Sequence, residues 1–225
     1  MDKDNLIVIT GASRGLGFEF ARQYSADGYR VLGLCRQEKD RAALQALGAE
    51  AACLDMQDHA AIRAFAKDLG SAKIGLLINN AGMNPGHWPL GEIDYGNWQK
   101  AFHINVIAPL QCAEALFPLM PQGAAIVNIG SAQGSISRNK DGGRYLYRAT
   151  KAALHAITKS LAIDLAARGV MAVALHPGWV KTDMGGQAAD IDVDTSISGM
   201  CKVIAGLNSD ASGRLYNYDG AEIPW

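Results

Sequence analysis

The sequence contains no block of like charges. Its 21 Lys and Arg residues nearly balance its 22 Asp and Glu residues, which leaves a net charge of −1 over 225 residues. Proteins that bind nucleic acids usually present a basic patch or stripe, and an even mixture of charges provides none. We therefore expect no nucleic acid or acidic polymer among the partners of this protein.

An uninterrupted apolar run of membrane-spanning length is also missing. The least charged stretch, from Ala101 to Ser137, has Glu114 as its only formal charge, but three prolines interrupt it. A membrane helix needs about 20 consecutive apolar residues, so this stretch does not qualify. The acidic first five residues and the short apolar run after them do not form a signal peptide. These absences predict no association with membranes.

Paired cysteines and clustered histidines are absent too. The four cysteines, at positions 35, 53, 112 and 201, form no C-x-x-C pair, and the five histidines have neither H-x-x-x-H nor H-E-x-x-H spacing. Isolated cysteines are typical of small buried residues in a reducing compartment, so we predict a cytoplasmic protein without a metal site. Ser131 lacks the G-x-S-x-G context of a hydrolase nucleophile, which disfavours a Ser-His-Asp hydrolase.

A glycine-spaced turn follows the first apolar run. Residues Leu6–Ile9 are four large aliphatics, typical of a strand buried on both faces. The next segment, Thr10–Gly17, has glycines at 11, 15 and 17 and leads into an amphipathic helix. Glycines let backbone N–H groups approach a ligand closely, and the positive end of the helix favours a phosphate. Surface turns use the same residues, but the position between a buried strand and a helix predicts a dinucleotide site.

Strands and helices alternate along the rest of the chain, and no repeat or low-complexity linker separates them. Such alternation is typical of right-handed βαβ units. We predict an α/β fold, a Rossmann-like doubly wound and mostly parallel seven-stranded sheet with helices on both faces, in a single domain over residues 1–225. The predicted strands are 6–9, 29–34, 50–54, 74–78, 124–130, 170–175 and 214–218, with helices over 37–47, 98–120 and 145–167 among others.

The end of the second predicted strand indicates the cofactor. An acidic residue at this position hydrogen-bonds the ribose 2′-hydroxyl of NAD, but Cys35 and Arg36 stand there instead. Arg36, together with Arg14 in the glycine turn, is suited to a ribose 2′-phosphate. Either arginine alone is explained as a solvated surface residue. The pair, in the absence of the acid, favours NADP(H) over NAD(H).

Four polar residues form a candidate catalytic set. Tyr147 and Lys151 are four residues apart on a predicted helix and so share a face. An ammonium within about 4–6 Å lowers the pKa of a phenol by roughly 1–3 units, which would suit Tyr147 to acid–base catalysis. Ser131 ends a predicted strand, where it can hydrogen-bond a substrate oxygen, and Asn105 is a polar residue in an apolar helix, where it can hold a relay water. Each residue alone is common, and the combination downstream of the glycine turn indicates an active site.

These features resemble the short-chain dehydrogenase/reductase family. The resemblance rests on the glycine turn, on Asn79-Asn80-Ala81-Gly82 and on the catalytic set, and it covers the whole chain. The sequence around Tyr147, the run 177–186 and the ending 218–225 look like the sniffer-type carbonyl reductases and C-factor-like proteins of that family. His155 departs from the asparagine expected there.

The resemblance implies a role for each matching residue. Tyr147 would be the general acid, Ser131 would polarise the carbonyl, Lys151 would also bind the nicotinamide ribose, and Asn105 would hold the relay water. The cofactor-binding residues that it implies are Gly11, Ser13, Arg14, Gly15, Leu16, Gly17, Arg36, Asp55, Met56, Asn80, Ala81, Gly82, Tyr147, Lys151, Pro177, Gly178, Val180 and Thr182.

The expected function is NADPH-dependent reduction of a ketone or aldehyde to an alcohol. The alternative is a C-factor-like signalling or cofactor-sensing protein that acts through interactions, while a sugar-nucleotide epimerase is disfavoured by the short C-terminal region. The polar residues 183–200 are expected to form a substrate lid. His87 and Trp88 belong either to a packed loop or to the mouth of the substrate site. The substrate is a small molecule, and a monomer and a homo-oligomer both remain open.

Overall fold

The computed structural model describes residues 2–225. Its strands are Leu6–Thr10 (β1), Val31–Cys35 (β2), Glu50–Cys53 (β3), Ile74–Asn79 (β4), Ala125–Ile129 (β5), Met171–His176 (β6), Leu215–Asn217 (β7) and Glu222–Ile223 (β8). Its helices are Gly15–Ala26 (α1), Arg41–Gln45 (α2), His59–Asp68 (α3), Tyr95–Phe102 (α4), Ala108–Leu116 (α5), Tyr145–Asp164 (α6) and Val193–Ala205 (α7). All eight strands belong to one sheet.

The sheet is doubly wound, as predicted. Its strand order is β3-β2-β1-β4-β5-β6-β7-β8, and every pair is parallel except β7 with β8. The strands β1 to β3 are added toward one edge of the sheet and β4 and the later strands toward the other, so the strand order switches between β1 and β4. Ligands of such folds bind at the carboxyl ends of the strands beside this switch point. The sheet has eight strands instead of the seven predicted, because Glu222–Ile223 pairs with β7. Two residues are too few to show a strand periodicity in the sequence.

Two apolar cores cover the two faces of the sheet. Leu6 and Val8 of β1 belong to one core, with residues of α3, α5 and α6, while Ile7 and Ile9 belong to the other, with residues of α1, α2 and α7. Successive side chains of a strand point to opposite faces, so a strand with helices on both sides needs apolar residues at every position. This explains the continuous apolar run before the glycine turn, since each such buried aliphatic side chain contributes about 1.5–3 kcal/mol.

Two predicted helices are broken in the structure. The segment 37–47 is a 3-10 turn followed by the five-residue α2. The segment 98–120 starts earlier, at α4, where the Asp94 side chain accepts a hydrogen bond from Asn97 N. A π-helical turn at His103–Ile107 then separates α4 from α5. Within residues 2–225, none of the helices combines the length and the apolar character needed to cross a bilayer.

The predicted lid, residues 183–200, includes part of a packed helix. Residues 193–200 are the first half of α7, and Ile197 and Met200 on it are fully buried in one of the cores. Asp192 caps this helix by accepting a hydrogen bond from Thr195 N. Only the residues before Val193 form a loop, and the rest of the predicted lid is helical.

Candidate active site

The glycine turn packs against the end of β4. Gly11 has a φ of +64°, and a Cβ there would lie 2.9 Å from Ala81 Cα. Asn80 holds the two segments together, because its side-chain amide donates to the carbonyl oxygens of Thr10 and Gly11, each at 3.0 Å. Asn80 is therefore a residue that shapes the turn, and its side-chain donors face the protein backbone.

The same turn fits a phosphate-bearing cofactor. Arg14, the N-cap residue of α1, makes no side-chain hydrogen bond to the first turn of the helix. The N–H groups at a helix N-terminus then stay free to bind an anion. Gly15 has a φ of +55°, and Ser13 and Leu16 complete the turn around it. The residues present thus match what a pyrophosphate requires, namely bare backbone donors at the positive end of a helix.

Gly17 provides a test of this close packing. A Cβ at Gly17 would lie 2.4 Å from both Asn80 Nδ2 and Gly11 O, so one of these atoms must move. Overpacking of this kind costs about 1–3 kcal/mol, more than the ~1 kcal/mol by which alanine is favoured over glycine in a helix. We expect Gly17→Ala to lower the melting temperature.

The matched control is Gly206→Ala. Gly206 follows α7 with a φ of −91°, and a Cβ there would have no atom nearer than 3.6 Å. This variant should melt at or slightly above the wild-type temperature. Equal melting temperatures for Gly17→Ala and the wild type would contradict the close approach.

The residues beyond β2 and β3 differ in their surroundings. Cys35 is 1% exposed, and its Sγ lies 4.0 Å from Cys53 Sγ on the neighbouring strand. Arg36 is exposed and takes part in none of the ion pairs found among residues 2–225. Asp55 is exposed, whereas Met56 is buried, with its sulfur 3.9 Å from Cys112 Sγ. Arg36 and Asp55 are thus the two residues here whose side chains are open to a ligand.

The segment after β6 lies against the glycine turn. Val180 pairs with Ile191 in an isolated bridge, and Lys181 N donates to Ile191 O at 2.9 Å. Asp183 of this loop forms an ion pair with Arg14 at 2.9 Å, between side chains that are about four-fifths exposed. Thr182 Cγ2 would lie 3.8 Å from a Cβ at Gly15. The predicted cofactor segment thus reaches the glycine turn at its end, through Thr182 and the neighbouring Asp183.

Tyr147, Lys151 and Ser131 meet at the carboxyl end of β5. Tyr147 and Lys151 lie on α6, and Lys151 Nζ is 5.7 Å from the centroid of the Tyr147 ring. Burial raises the pKa of Tyr147, while a hydrogen bond with Ser131 and the charge of Arg144 act in the opposite direction. The predicted net lowering of this pKa is not found, because burial is the largest of these effects. Lys151 Nζ donates to Ile129 O at 2.7 Å.

Lys151 is 6% exposed, and burial lowers its pKa to about 8. A free lysine has a pKa of 10.5, so at neutral pH the fold holds a charged group that burial disfavours. At about 1.4 kcal/mol per pKa unit, this costs about 3 kcal/mol. The hydrogen bond to Ile129 O offsets part of this destabilisation, typically about 1 kcal/mol.

We therefore expect Lys151→Met to raise the free energy of unfolding by about 2 kcal/mol at pH 7. The gain should shrink as the pH rises from 8 toward 10.5, since in that range the unfolded wild type binds the proton that the folded wild type has lost, and wild-type stability rises. Denaturant titrations at pH 7 and pH 9.5 measure both effects. Lys159→Met, at an exposed lysine of the same helix, should show no such pH dependence, and a destabilised Lys151→Met at pH 7 would contradict the explanation.

Asn105 lies in the π-helical turn and is 1% exposed. Its side chain accepts a hydrogen bond from Met83 N at 2.8 Å and donates to Met83 O at 2.9 Å and Thr150 Oγ1 at 3.2 Å. Both amide hydrogens are therefore used inside the protein. The π turn interrupts the regular helical hydrogen bonds at this residue, so its backbone, and not its side chain, is the part available to a water.

His155 is a positioning residue that the sequence showed only as a departure from the expected asparagine. Its Nε2 accepts a hydrogen bond from Ser131 N at 3.3 Å, and its ring lies 5.1 Å from that of Trp225. Burial, then the charge of Lys151, lowers the pKa of His155 to about 3, so it is neutral and able to accept. A Cβ at Gly134 would lie 2.5 Å from its ring, which explains why a glycine stands there.

The comparisons agree with this geometry. The family model for short chain dehydrogenase matches residues 5–191. C-signal of Myxococcus xanthus is 44% identical over 167 residues, which cover 73% of this chain and 100% of that protein. Carbonyl reductase Sniffer of D. melanogaster (TM-score 0.92) and the NADPH-bound carbonyl reductase from chicken fatty liver (TM-score 0.91) are both 32% identical, with 100% of each chain covered. The chain therefore belongs to the short-chain dehydrogenase family and is an NAD(P)H-dependent oxidoreductase.

Proposed function

We propose that the protein reduces a ketone or aldehyde to an alcohol with NADPH. The observation that supports this most directly is the convergence of Tyr147, Ser131 and Lys151 at the carboxyl end of β5. That edge of the sheet also holds the glycine turn, at the end of β1. A bound nicotinamide would supply a hydride to the carbonyl carbon. The small-molecule substrate would then lie between that edge and the loop 181–192.

Tyr147 is the proposed general acid. With a pKa raised from an ordinary value of 10, the phenol is protonated at neutral pH, which is the form that gives a proton to the oxygen of a reduced carbonyl. Ser131, whose side chain acts to lower the pKa of Tyr147, would donate to the same oxygen and polarise the carbonyl. His155 fixes the backbone of Ser131 and so its orientation.

Lys151 and Asn105 have supporting roles in this proposal. Lys151 would bind the nicotinamide ribose and return a proton to Tyr147 after each turnover. With a pKa lowered to about 8, it exchanges protons readily near neutral pH. Asn105 would hold the relay water through its backbone carbonyl, since its side chain is engaged with Met83 and Thr150.

Cofactor contacts follow from the same arrangement. The glycine turn would hold the pyrophosphate, Arg14 and Arg36 the ribose 2′-phosphate, and Asp55 the adenine. Ala81, Gly82, Pro177, Gly178, Val180 and Thr182 would line the path between the adenine and the nicotinamide. The solved carbonyl reductase from chicken fatty liver is described as NADPH-bound, which supports the choice of NADP(H).

The test is a panel of ketones, aldehydes and quinones, followed through NADPH absorbance. We expect turnover of at least one class, lost in a Tyr147 variant. If the purified protein binds NADPH but turns over none of the panel, the reductase proposal is wrong. Binding and turnover are therefore measured on the same preparation.

A signalling or cofactor-sensing role is the second candidate, favoured by the 44% identity with C-signal. An output made through interactions does not need Tyr147, so it would survive in a variant without turnover. For the reductase we further propose a cytoplasmic location, supported by four free cysteines, and a lid made by residues 181–192.

A further inference from the structure

A cavity of about 620 Å³ opens beside the candidate active site. It is lined by Ala132 and Gln133, which follow Ser131, and by residues on either side of Tyr147, namely Arg144 and Arg148. His87 closes another part of the wall. Gln133 N donates to Ser131 Oγ at 3.1 Å, so this wall of the cavity adjoins the candidate catalytic residues.

The walls of the cavity are strongly basic. Arg138, Arg144 and Arg148 line it together with a single acid, Asp141. None of these four takes part in the ion pairs found among residues 2–225. The chain as a whole is nearly neutral, so this local excess of positive charge is a property of the cavity.

Arg148 has a donor without an acceptor. Its side chain is half-buried, and its Nε is buried without a hydrogen-bond partner in the described protein. Its terminal nitrogen reaches Gln133 O at 3.4 Å, a long contact. A guanidinium with so few protein acceptors favours binding of an anion, and a carboxylate accepts two parallel hydrogen bonds from such a group.

Arg144 is held beside Tyr147 by an unusual backbone. Gly142, Gly143 and Arg144 all have left-handed φ values, of 64°, 60° and 47°. Glycine adopts this conformation freely, whereas it is uncommon for arginine. The loop thus turns back at the start of α6, and the charge of Arg144 lies near enough to act on the pKa of Tyr147.

We propose that the substrate carries an oxyanion, such as a carboxylate, that binds Arg148 and Arg144 while its carbonyl lies at Tyr147 and Ser131. This proposal rests on the proposed reductase function. Gln133 joins the two subsites, because its backbone N donates to Ser131 Oγ at 3.1 Å and its carbonyl oxygen accepts from Arg148 at 3.4 Å, so one molecule of modest length reaches both. Selectivity follows because a neutral substrate leaves the guanidinium donors unpaired.

The first test compares acids with amides of the same shape. The probes are 3- and 4-carboxybenzaldehyde and the corresponding formylbenzamides, with NADPH. In the wild type we expect kcat/KM for the better acid to exceed that of its amide by about tenfold, the effect of one charge-assisted hydrogen bond. Arg148→Gln should lower this ratio to near one, chiefly through KM.

Two further variants complete the test. Arg144→Asn removes a charge but keeps a residue that tolerates the left-handed backbone, and it should also lower the ratio. Lys140→Gln removes a charge from the same loop at a residue that does not line the cavity, and it should leave both rates unchanged. An equal effect of Lys140→Gln and Arg148→Gln, or a wild-type preference for the amides, would refute the anion site.

Binding separates this proposal from the reductase itself. Calorimetry with 4-(hydroxymethyl)benzoate and 4-(hydroxymethyl)benzamide requires no turnover. Tighter binding of the acid, lost in Arg148→Gln and weakened by salt, supports the anion site even if no aldehyde is reduced. Equal binding of the two compounds refutes it even if aldehydes are reduced.

Discussion

Replacing Tyr147 with phenylalanine is expected to lower kcat by about 10²–10⁴-fold, the usual contribution of a positioned acid. The ring stays in place, so the packing of α6 and the contact with Lys151 Nζ at 5.7 Å are retained. What disappears is the hydroxyl that gives up the proton. NADPH binding, measured by fluorescence or calorimetry, should remain within a few-fold of the wild type.

Tyr145→Phe is the matched control for this variant. Tyr145 begins the same helix and is 46% exposed, and residues two apart do not share a helix face. It loses an identical hydroxyl and should keep wild-type kcat. Near-normal turnover by Tyr147→Phe on a good substrate would show that another group supplies the proton.

Sequence patterns located the main features of this fold because they have local causes. The run Leu6–Ile9 is apolar at every position because the sheet is covered on both faces. The glycine turn is also recognisable in the sequence. Gly17 approaches Gly11 so closely that this packing requires a glycine at position 17.

Features that depend on distant contacts could not be predicted from the sequence. The partner of Lys151 is the backbone carbonyl of Ile129, an atom that every residue has and no pattern marks. The π turn at Asn105 lies inside a continuous apolar periodicity, so the sequence predicts one unbroken helix there. His155 stands in the sequence only as an exception to the expected asparagine, because its contact with Ser131 N depends on the space left by Gly130 and Gly134.

The preference between cofactors is expected to depend on Arg14 and Arg36. A 2′-phosphate has nearly two negative charges and three acceptor oxygens, and each charge-assisted hydrogen bond contributes about 1.5–3 kcal/mol. Two exposed contacts, discounted for solvent screening, should favour NADPH over NADH by roughly 10²-fold. Arg14 is paired with Asp183 in the free protein, but both side chains are about four-fifths exposed, and such a pair contributes only about 0–1 kcal/mol. The phosphate should therefore displace Asp183.

The double variant Arg14→Ala/Arg36→Ala is expected to lower kcat/KM with NADPH by roughly 10²-fold and to change the value with NADH much less. Cys35 is a poor place to introduce the acid that selects NAD, because a carboxylate there would be buried beside Cys53, which hydrogen-bonds Glu38. Arg30→Ala is the control, since Arg30 is paired with Glu50 and precedes β2, at the opposite end of the strand from Arg36. A wild-type preference for NADH, or an equal loss with both cofactors in the double variant, would mean that these arginines do not recognise the phosphate.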